Sequence, residues 1–361
     1  MGTPLDRRLD DARRVLIYRL GSLGDTLVAL PCFHLIARRL PKAERRMLTI
    51  HPVGAKAAPV ESILGGTGLI HGTMRYPQGL RDPRVFLELA REIGRWRPDL
   101  IIYLAEPRRA WTVWRDVAFF KLCGVDAILG APLDRDRREH RARADGTWEP
   151  EAERLARCLA PLGDAAVGRR ESWDLHLGAR EIEAADAALA GWDGARRFLA
   201  LGIGTKLQPN DWGDARWRAT LEALGQRHAD LGLVAIGVAE ESERSARLLA
   251  AWPGPTLNLC GALAPRESAA LLRRARLFLG HDSGPMHLAA TVATPTVAVF
   301  SARNKPGTWF PYGPGHRPIY HRTPCFGCGL VVCERLKKIC ITSIAAEEAV
   351  AAAEAALAEA P

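Results

Sequence analysis

Nothing limits the possible folds of this chain more than residues 277–300, LFLGHDSGPMHLAATVATPTVAVF. The apolar run 277–280 predicts a buried strand, and His281-Asp282-Ser283-Gly284 a tight turn. Pro285 then stands where a helix begins, a position at which its missing N–H costs nothing, behind two good N-cap residues. Met286 to Thr291 supplies the first helical turns, Thr294-Pro295 a break, and residues 296–300 a second buried strand. Strand, helix and strand in this order form a parallel βαβ unit. Its helix N-terminus offers bare amides out of a glycine-containing loop, a geometry that attracts phosphate. Taken alone, the turn also has an ordinary reading as a strand-to-helix connection.

The same rhythm opens the chain. Residues 14–20 (RVLIYRL) predict a strand, Gly21-Ser22-Leu23-Gly24-Asp25 a loop, and the periodic apolar segment 26–40 a helix, which begins a doubly wound sheet. The loop is G-x-x-G-D rather than G-x-G-x-x-G, and no acidic residue ends a second strand at the usual distance. A dinucleotide fingerprint is therefore absent. Asp25 fits two readings: a helix N-cap, or a carboxylate held at the carboxyl edge of the sheet, where α/β proteins place their chemistry. Residues 47–51 predict a strand, 54–72 a helix and glycine-rich loop, 83–96 a helix and 100–104 another strand. The segment after it brings Arg108 and Arg109 to the edge that carries Asp25. A Trp- and Phe-rich helix (110–123) follows. The charge run 134–143, DRDRREHRAR, reads as solvated surface, with an anion-holding role as the alternative. Helix 148–162 leads into a crossing between halves at 163–177.

In the second half, a helix (181–190) precedes a strand (197–201) and the loop Gly202-Ile203-Gly204-Thr205-Lys206. A helix with Trp217, a strand (232–236) ending in Glu240-Glu241, a short strand (257–260) and a helix (265–275) complete the alternation. Three loops thus end at one sheet edge: 204–206, 237–241 and 281–287. They bring together the Lys206 ammonium, the helix amides and an acidic pair. Ammonium and amides suit a pyrophosphate, while a carboxylate suits ribose hydroxyls. His287, one turn past the Asp282-Ser283-Gly284 loop, is expected to face the ligand. Strand and helix alternate in both halves, so the chain reads as two Rossmann-type layers.

A chain of 361 residues makes two domains the default. Its net charge of +9 and pI near 9.4 suit an anionic partner: a phosphorylated glycan, a nucleotide, an anionic membrane face or nucleic acid. The interleaved aromatic and basic motifs of RNA readers are missing, which argues against nucleic acid. The charged N-terminus has no apolar signal region, and no run of about 20 apolar residues occurs. Eight cysteines without a secretion signal predict a reducing, cytoplasmic setting. Four of them, Cys325, Cys328, Cys333 and Cys340, crowd the tail. Only the first two have the spacing of a zinc knuckle, so a thiol-rich structural loop is favoured over a metal site.

Three segments carry a resemblance: Arg19-Leu20-Gly21-Ser22-Leu23-Gly24-Asp25, Gly204-Thr205-Lys206 with Trp212, and residues 281–290, HDSGPMHLAA. With Pro324-Cys325-x2-Cys328 behind them, the chain resembles glycosyltransferase family 9, the heptosyltransferases of lipopolysaccharide core assembly, over nearly its whole length. The resemblance implies an α/β fold of the GT-B kind, two Rossmann-like domains facing across a cleft. Residues 1–175 would take the acceptor and 176–342 the nucleotide sugar, with a C-terminal helix (343–361) packing back on the first domain. The implied reaction is an inverting transfer of heptose from an ADP-linked sugar, without a cofactor or an essential metal, to a lipopolysaccharide-core or other anionic glycan or glycolipid. Asp25 matches the family's general base. Thr205, Lys206, Asp282, Ser283 and Gly284 match donor phosphate and ribose contacts, and Glu241 the acidic residue near the nucleoside. Members often carry a lysine two residues before Trp212, where this chain has Asn210, and Lys206 can supply that charge from nearby. Arg108 and Arg109 are expected to hold an acceptor phosphate or carboxylate. The basic surface is compatible with peripheral contact at the inner membrane face, although no amphipathic anchor stands out. Two rivals remain: a GT-B-like sugar-nucleotide epimerase, and a non-catalytic nucleotide-binding protein.

Overall fold

The computed structural model describes residues 4–51, 59–77, 82–106, 108–192 and 197–359. The helix and loop expected across 54–72 begin outside them. The chain divides into two compact units. One is Met1–Arg143 with Glu149–Asp174, the other Ala144–Trp148 with Leu175–Pro361. Among the described residues, no helix is long and apolar enough to cross a membrane.

The first unit holds five strands: β1 (Arg14–Tyr18), β2 (Glu44–His51), β3 (Gly72–Pro77), β4 (Leu100–Tyr103) and β5 (Ile128–Leu129). They pair in parallel in the order β3-β2-β1-β4-β5. The central strands β1 and β4 are the continuous apolar runs, as burial on both faces requires. Leu16, Tyr18, Ile101 and Tyr103 point to one face. There they meet Leu89 and Ile93 of helix Pro83–Trp96 and Val113, Val117 and Phe120 of helix Ala110–Leu122. Local chemistry fixes the first of these helices: the Asp82 carboxylate accepts the Arg84 N–H, Pro83 occupies the first turn, and Arg97 ends the helix at φ 51°.

The second unit holds β6 (Phe198–Gly202), β7 (Gly232–Ala235), β8 (Thr256–Asn258), β9 (Leu277–His281), β10 (Thr296–Phe300) and β11 (His316–Tyr320). All are parallel, in the order β11-β10-β9-β6-β7-β8. This is the doubly wound arrangement in which strand order reverses between the first and fourth strands, here β6 and β9. Gly202 lies opposite Gly280 in that pair. A Cβ on Gly280 would sit 2.6 Å from the Gly202 carbonyl oxygen, so only glycine lets the two ends approach. The strands absent from the sequence reading, β3, β5 and β11, lie at the sheet edges or are short. β11 is half-buried throughout and contains Pro318, which an edge tolerates.

Helix Ala346–Glu359 docks within the second unit, against helix Asp214–Arg227 and strands β9 to β11. Its Ala349, Val350, Ala353 and Ala356 join Trp217, Leu221, Leu224, Val297 and Val299 in one core. Just before it, the Ile344 carbonyl accepts the Trp212 indole N–H at 3.0 Å. The small alanine face seats directly on the second sheet, where it completes a core.

Candidate active site

The reversal between β6 and β9 leaves a crevice at the carboxyl ends of these strands, since their connections depart to opposite sides. The loops after them carry the candidate residues, and His281 holds the loops together. Its Nε2 accepts both the Trp212 backbone N–H (3.1 Å) and the Trp217 indole N–H (3.0 Å), while Nδ1 lies 3.0 Å from the Ile203 carbonyl oxygen. Two donors on Nε2 and an acceptor at Nδ1 leave one consistent state, the neutral Nδ1–H tautomer. Complete burial favours the same state and pushes the imidazole down to about 4. Asn210 is the second clamp. Its amide nitrogen reaches the Asp282 carbonyl and carboxylate oxygens (3.4 Å each), and its oxygen accepts from the Ser301 hydroxyl at 2.5 Å. Asn210 therefore serves as a buried bridge at the position where the family often has lysine.

Ser283 caps helix Gly284–Thr291 in an extended conformation, and its buried Oγ has no hydrogen-bond partner among the described residues. Thr205 shapes the neighbouring loop, its Oγ1 donating to the Leu207 carbonyl (3.3 Å). Lys206, next to it, is exposed. Glu241 lies against the same loop. A Cβ on Gly204 would come 2.0 Å from one Glu241 carboxylate oxygen, and a Cβ on Gly237 would come 2.2 Å from the other. The connections after β6, β7 and β9 thus converge as expected, with glycines making room for the acid. His287 is only 6% exposed, and its ring packs edge-on to Trp309.

In the first unit the reversal falls between β1 and β4, and the Asp25 loop leaves the end of β1. Asp25 stands at the third position of helix Leu23–Val28, where its Oδ2 accepts the Ser22 N–H (2.5 Å) and hydroxyl (2.9 Å). Its Oδ1 makes no hydrogen bond among the described residues. Asp25 is thus both part of the helix cap and a half-buried carboxylate with one open oxygen. Arg19, fully buried, donates to the Leu104 carbonyl at 2.6 Å and to the Asp25 carbonyl, so it ties the loop after β1 to the end of β4.

Glu106, just past β4, is brought into electrostatic range of Asp25. Burial and then the Asp25 charge push its carboxyl up to about 7. The raised value means the folded state keeps a proton that the unfolded chain loses, so this carboxyl destabilises the fold increasingly as pH rises from 4.5 through about 7. Glu106→Gln should therefore raise stability in urea unfolding above pH 7 by about 2 kcal/mol, with no gain below pH 4.5. Equal stability at both ends would refute the assignment.

Arg108 does not reach out as expected. It donates to the Asp116 carboxylate (2.8 Å) and the Tyr18 hydroxyl (3.2 Å). Asp116, also bonded by Tyr103 and Arg115, is buried and needs these cations. Arg109 is exposed and makes no ion pair among the described residues. The charge run 134–143 is matched within itself and by the following helix: Arg135 pairs with Glu139, Arg141 with Asp136, His140 with Glu151 and Arg143 with Glu153. In the tail, Cys328 is exposed, Cys340 is buried, and all eight cysteines are free thiols. Among the described residues, no group of three or more His, Cys, Asp or Glu side chains is placed to hold a metal ion. Sequence reasoning passed over His281, Arg19 and Glu106. The one signal for them is adjacency, an ionisable side chain at the last residue of an apolar strand or just past it.

Comparison with known proteins agrees with this organisation. The family model of glycosyltransferase family 9 (heptosyltransferase) matches residues 133–333. Lipopolysaccharide heptosyltransferase 1 of Pseudomonas aeruginosa is 27% identical over 349 residues, 91% of this chain and 87% of that protein. Among solved structures, the glycosyl transferase family 9 protein from Veillonella parvula superposes with a TM-score of 0.70 at 18% identity, covering 96% of this chain and 98% of that one. E. coli heptosyltransferase WaaC with ADP-2-deoxy-2-fluoro heptose superposes with a TM-score of 0.60 at 16% identity, covering 95% and 99%. The two parallel-sheet units are those of the α/β, GT-B fold.

Proposed function

The chain belongs to glycosyltransferase family 9 (heptosyltransferase), and from that premise we propose that it transfers heptose from an ADP-linked donor, with inversion, to a lipopolysaccharide-core glycan. The observation that carries the reading is the convergence of the loops after β6, β7 and β9 at the point where strand order reverses. The matching of the P. aeruginosa lipopolysaccharide heptosyltransferase along most of the chain supports the sugar, and the ADP-sugar bound by WaaC supports the nucleotide.

Transfer passes through an oxocarbenium-like state, with the hydroxyl entering opposite the leaving diphosphate. The Ser283 and Gly284 amides and the Lys206 ammonium take the charge growing on ADP, a role a divalent cation plays elsewhere, so the reaction proceeds without metal. Glu241 accepts from ribose hydroxyls. Asp25 takes the acceptor's proton on its open Oδ1, and Arg109 pairs with an anionic group of the acceptor. Because that acceptor is lipid-borne, the protein works at the inner membrane face.

Lys206→Ala should weaken ADP binding about tenfold to a hundredfold in calorimetry, the loss of one charge-assisted contact to phosphate. Unchanged affinity would remove Lys206 from the donor site. Turnover with ADP-heptose should persist in excess chelator, and its abolition would show that a metal takes part. Isomerisation of the donor in the absence of acceptor would favour an epimerase instead.

A further inference from the structure

Helix Ala110–Leu122 has two apolar sides. Val113, Val117 and Phe120 enter the core of the first unit, while Trp111 is 60%, Trp114 57% and Leu122 87% exposed on the other side. Exposed Arg115, Ala118 and Lys121 lie along that outer side as well. A surface helix ordinarily places polar residues there. The apolar surface continues onto helix Pro83–Trp96, where Phe86 (39%) and Leu87 (50%) are exposed and the Phe86 ring meets Phe119 edge-on at 6.0 Å.

The charges around the patch are largely of one sign. Arg109 stands at its start, and the Arg115 guanidinium lies over the Trp111 ring, 5.5 Å from its centre. The one acid of the helix, Asp116, is buried and paired to Arg108 and Arg115. On helix Pro83–Trp96, exposed Arg84, Arg91 and Arg95 outnumber exposed Glu88 and Glu92.

We propose that this face docks the first unit on an anionic phospholipid surface, with Trp111, Trp114 and Leu122 at headgroup depth and Arg115 and Lys121 against lipid phosphates. Indole rings, apolar in body and with one N–H donor, settle at that boundary. A second copy of this chain would bring cation against cation. The patch is also far smaller than the ~20–30 residues a side of a stable protein interface, whereas reversible membrane contact needs only a few inserted side chains plus about 1 kcal/mol per basic residue. The proposal rests on the reading of a membrane-borne acceptor and is independent of which donor is used.

The full chain should float with phosphatidylcholine vesicles containing phosphatidylglycerol, show a blue shift of tryptophan emission on binding, and be released by salt. Trp111→Ser with Trp114→Ser should lower vesicle affinity by about tenfold or more, with an unchanged melting temperature and ADP affinity. Arg115→Glu with Lys121→Glu should remove the preference for phosphatidylglycerol. No flotation, or flotation untouched by the tryptophan pair, overturns the proposal. So does a concentration-dependent dimer in sedimentation that the tryptophan pair abolishes. ADP binding needs no membrane, so lost flotation with intact ADP binding refutes the docking face alone, and lost ADP affinity in the wild-type chain refutes the donor reading alone.

Discussion

Asp25→Asn should lower turnover by about 10²–10⁴-fold, the usual worth of a positioned proton acceptor, with affinity for ADP unchanged. Asparagine is the informative replacement because the residue has a capping task beside its proposed catalytic one. Oδ2 closes the start of helix Leu23–Val28 through Ser22, and the amide oxygen of asparagine can keep that bond. Alanine would lose it too, at about 1 kcal/mol of stability, and would mix folding with chemistry. Single-turnover rates, melting temperature and ADP calorimetry on both variants separate the effects. A near-wild-type rate in Asp25→Asn would mean that another group takes the proton. Glu106 should shape the pH profile, since its deprotonation near pH 7 places a negative charge beside the path of the acceptor's proton. Turnover should climb as pH passes about 7, and Glu106→Gln should flatten that limb.

His281→Leu should destabilise the second unit by about 4 kcal/mol or more. The change strands the Trp212 N–H, the Trp217 indole N–H and the Ile203 carbonyl, each costing about 1–3 kcal/mol when buried and unpaired. The wild-type protein carries a related liability in acid. Between pH 6.5 and about 4, unfolded chains bind a proton on this imidazole that folded chains refuse. Stability should therefore fall as pH drops through that window, by at most about 3 kcal/mol from this group. The leucine variant, already weakened, should lack that component. Urea unfolding followed by tryptophan emission reads the site directly, because the Trp212 and Trp217 rings sit 4.9 Å apart, centre to centre, and the imidazole 5.2 Å from Trp217. An identical acid slope in both proteins would sink the account.

The buried parallel strands were legible because double-sided burial leaves an uninterrupted apolar run, as in β1, β4, β6, β9 and β10. The edge strands β3 and β11 mix polar and apolar residues and leave no comparable trace. The loops that gather at β6, β7 and β9 were legible for the same reason, since each follows a readable strand. Individual side chains were not. Arg108 adjoins the right loop, yet it turns to Asp116, a partner 8 positions further along. His281 showed only as the residue that opens the turn, because its partners come from residues 203, 212 and 217. The outer face of helix Ala110–Leu122 stayed hidden because apolar residues on both sides erase the periodic contrast that marks an amphipathic segment.

The seating of helix Ala346–Glu359 on strands β9 to β11 has a consequence for biosynthesis. Until the segment after Ile344 has been made and released, the strands of the second sheet lack the alanine layer that closes one side. Valines 297 and 299 wait uncovered during that interval, and a nascent chain in this condition invites chaperones or sticks to its neighbours. The first unit, Met1–Arg143 with Glu149–Asp174, is made before the segment that covers this side of the second sheet.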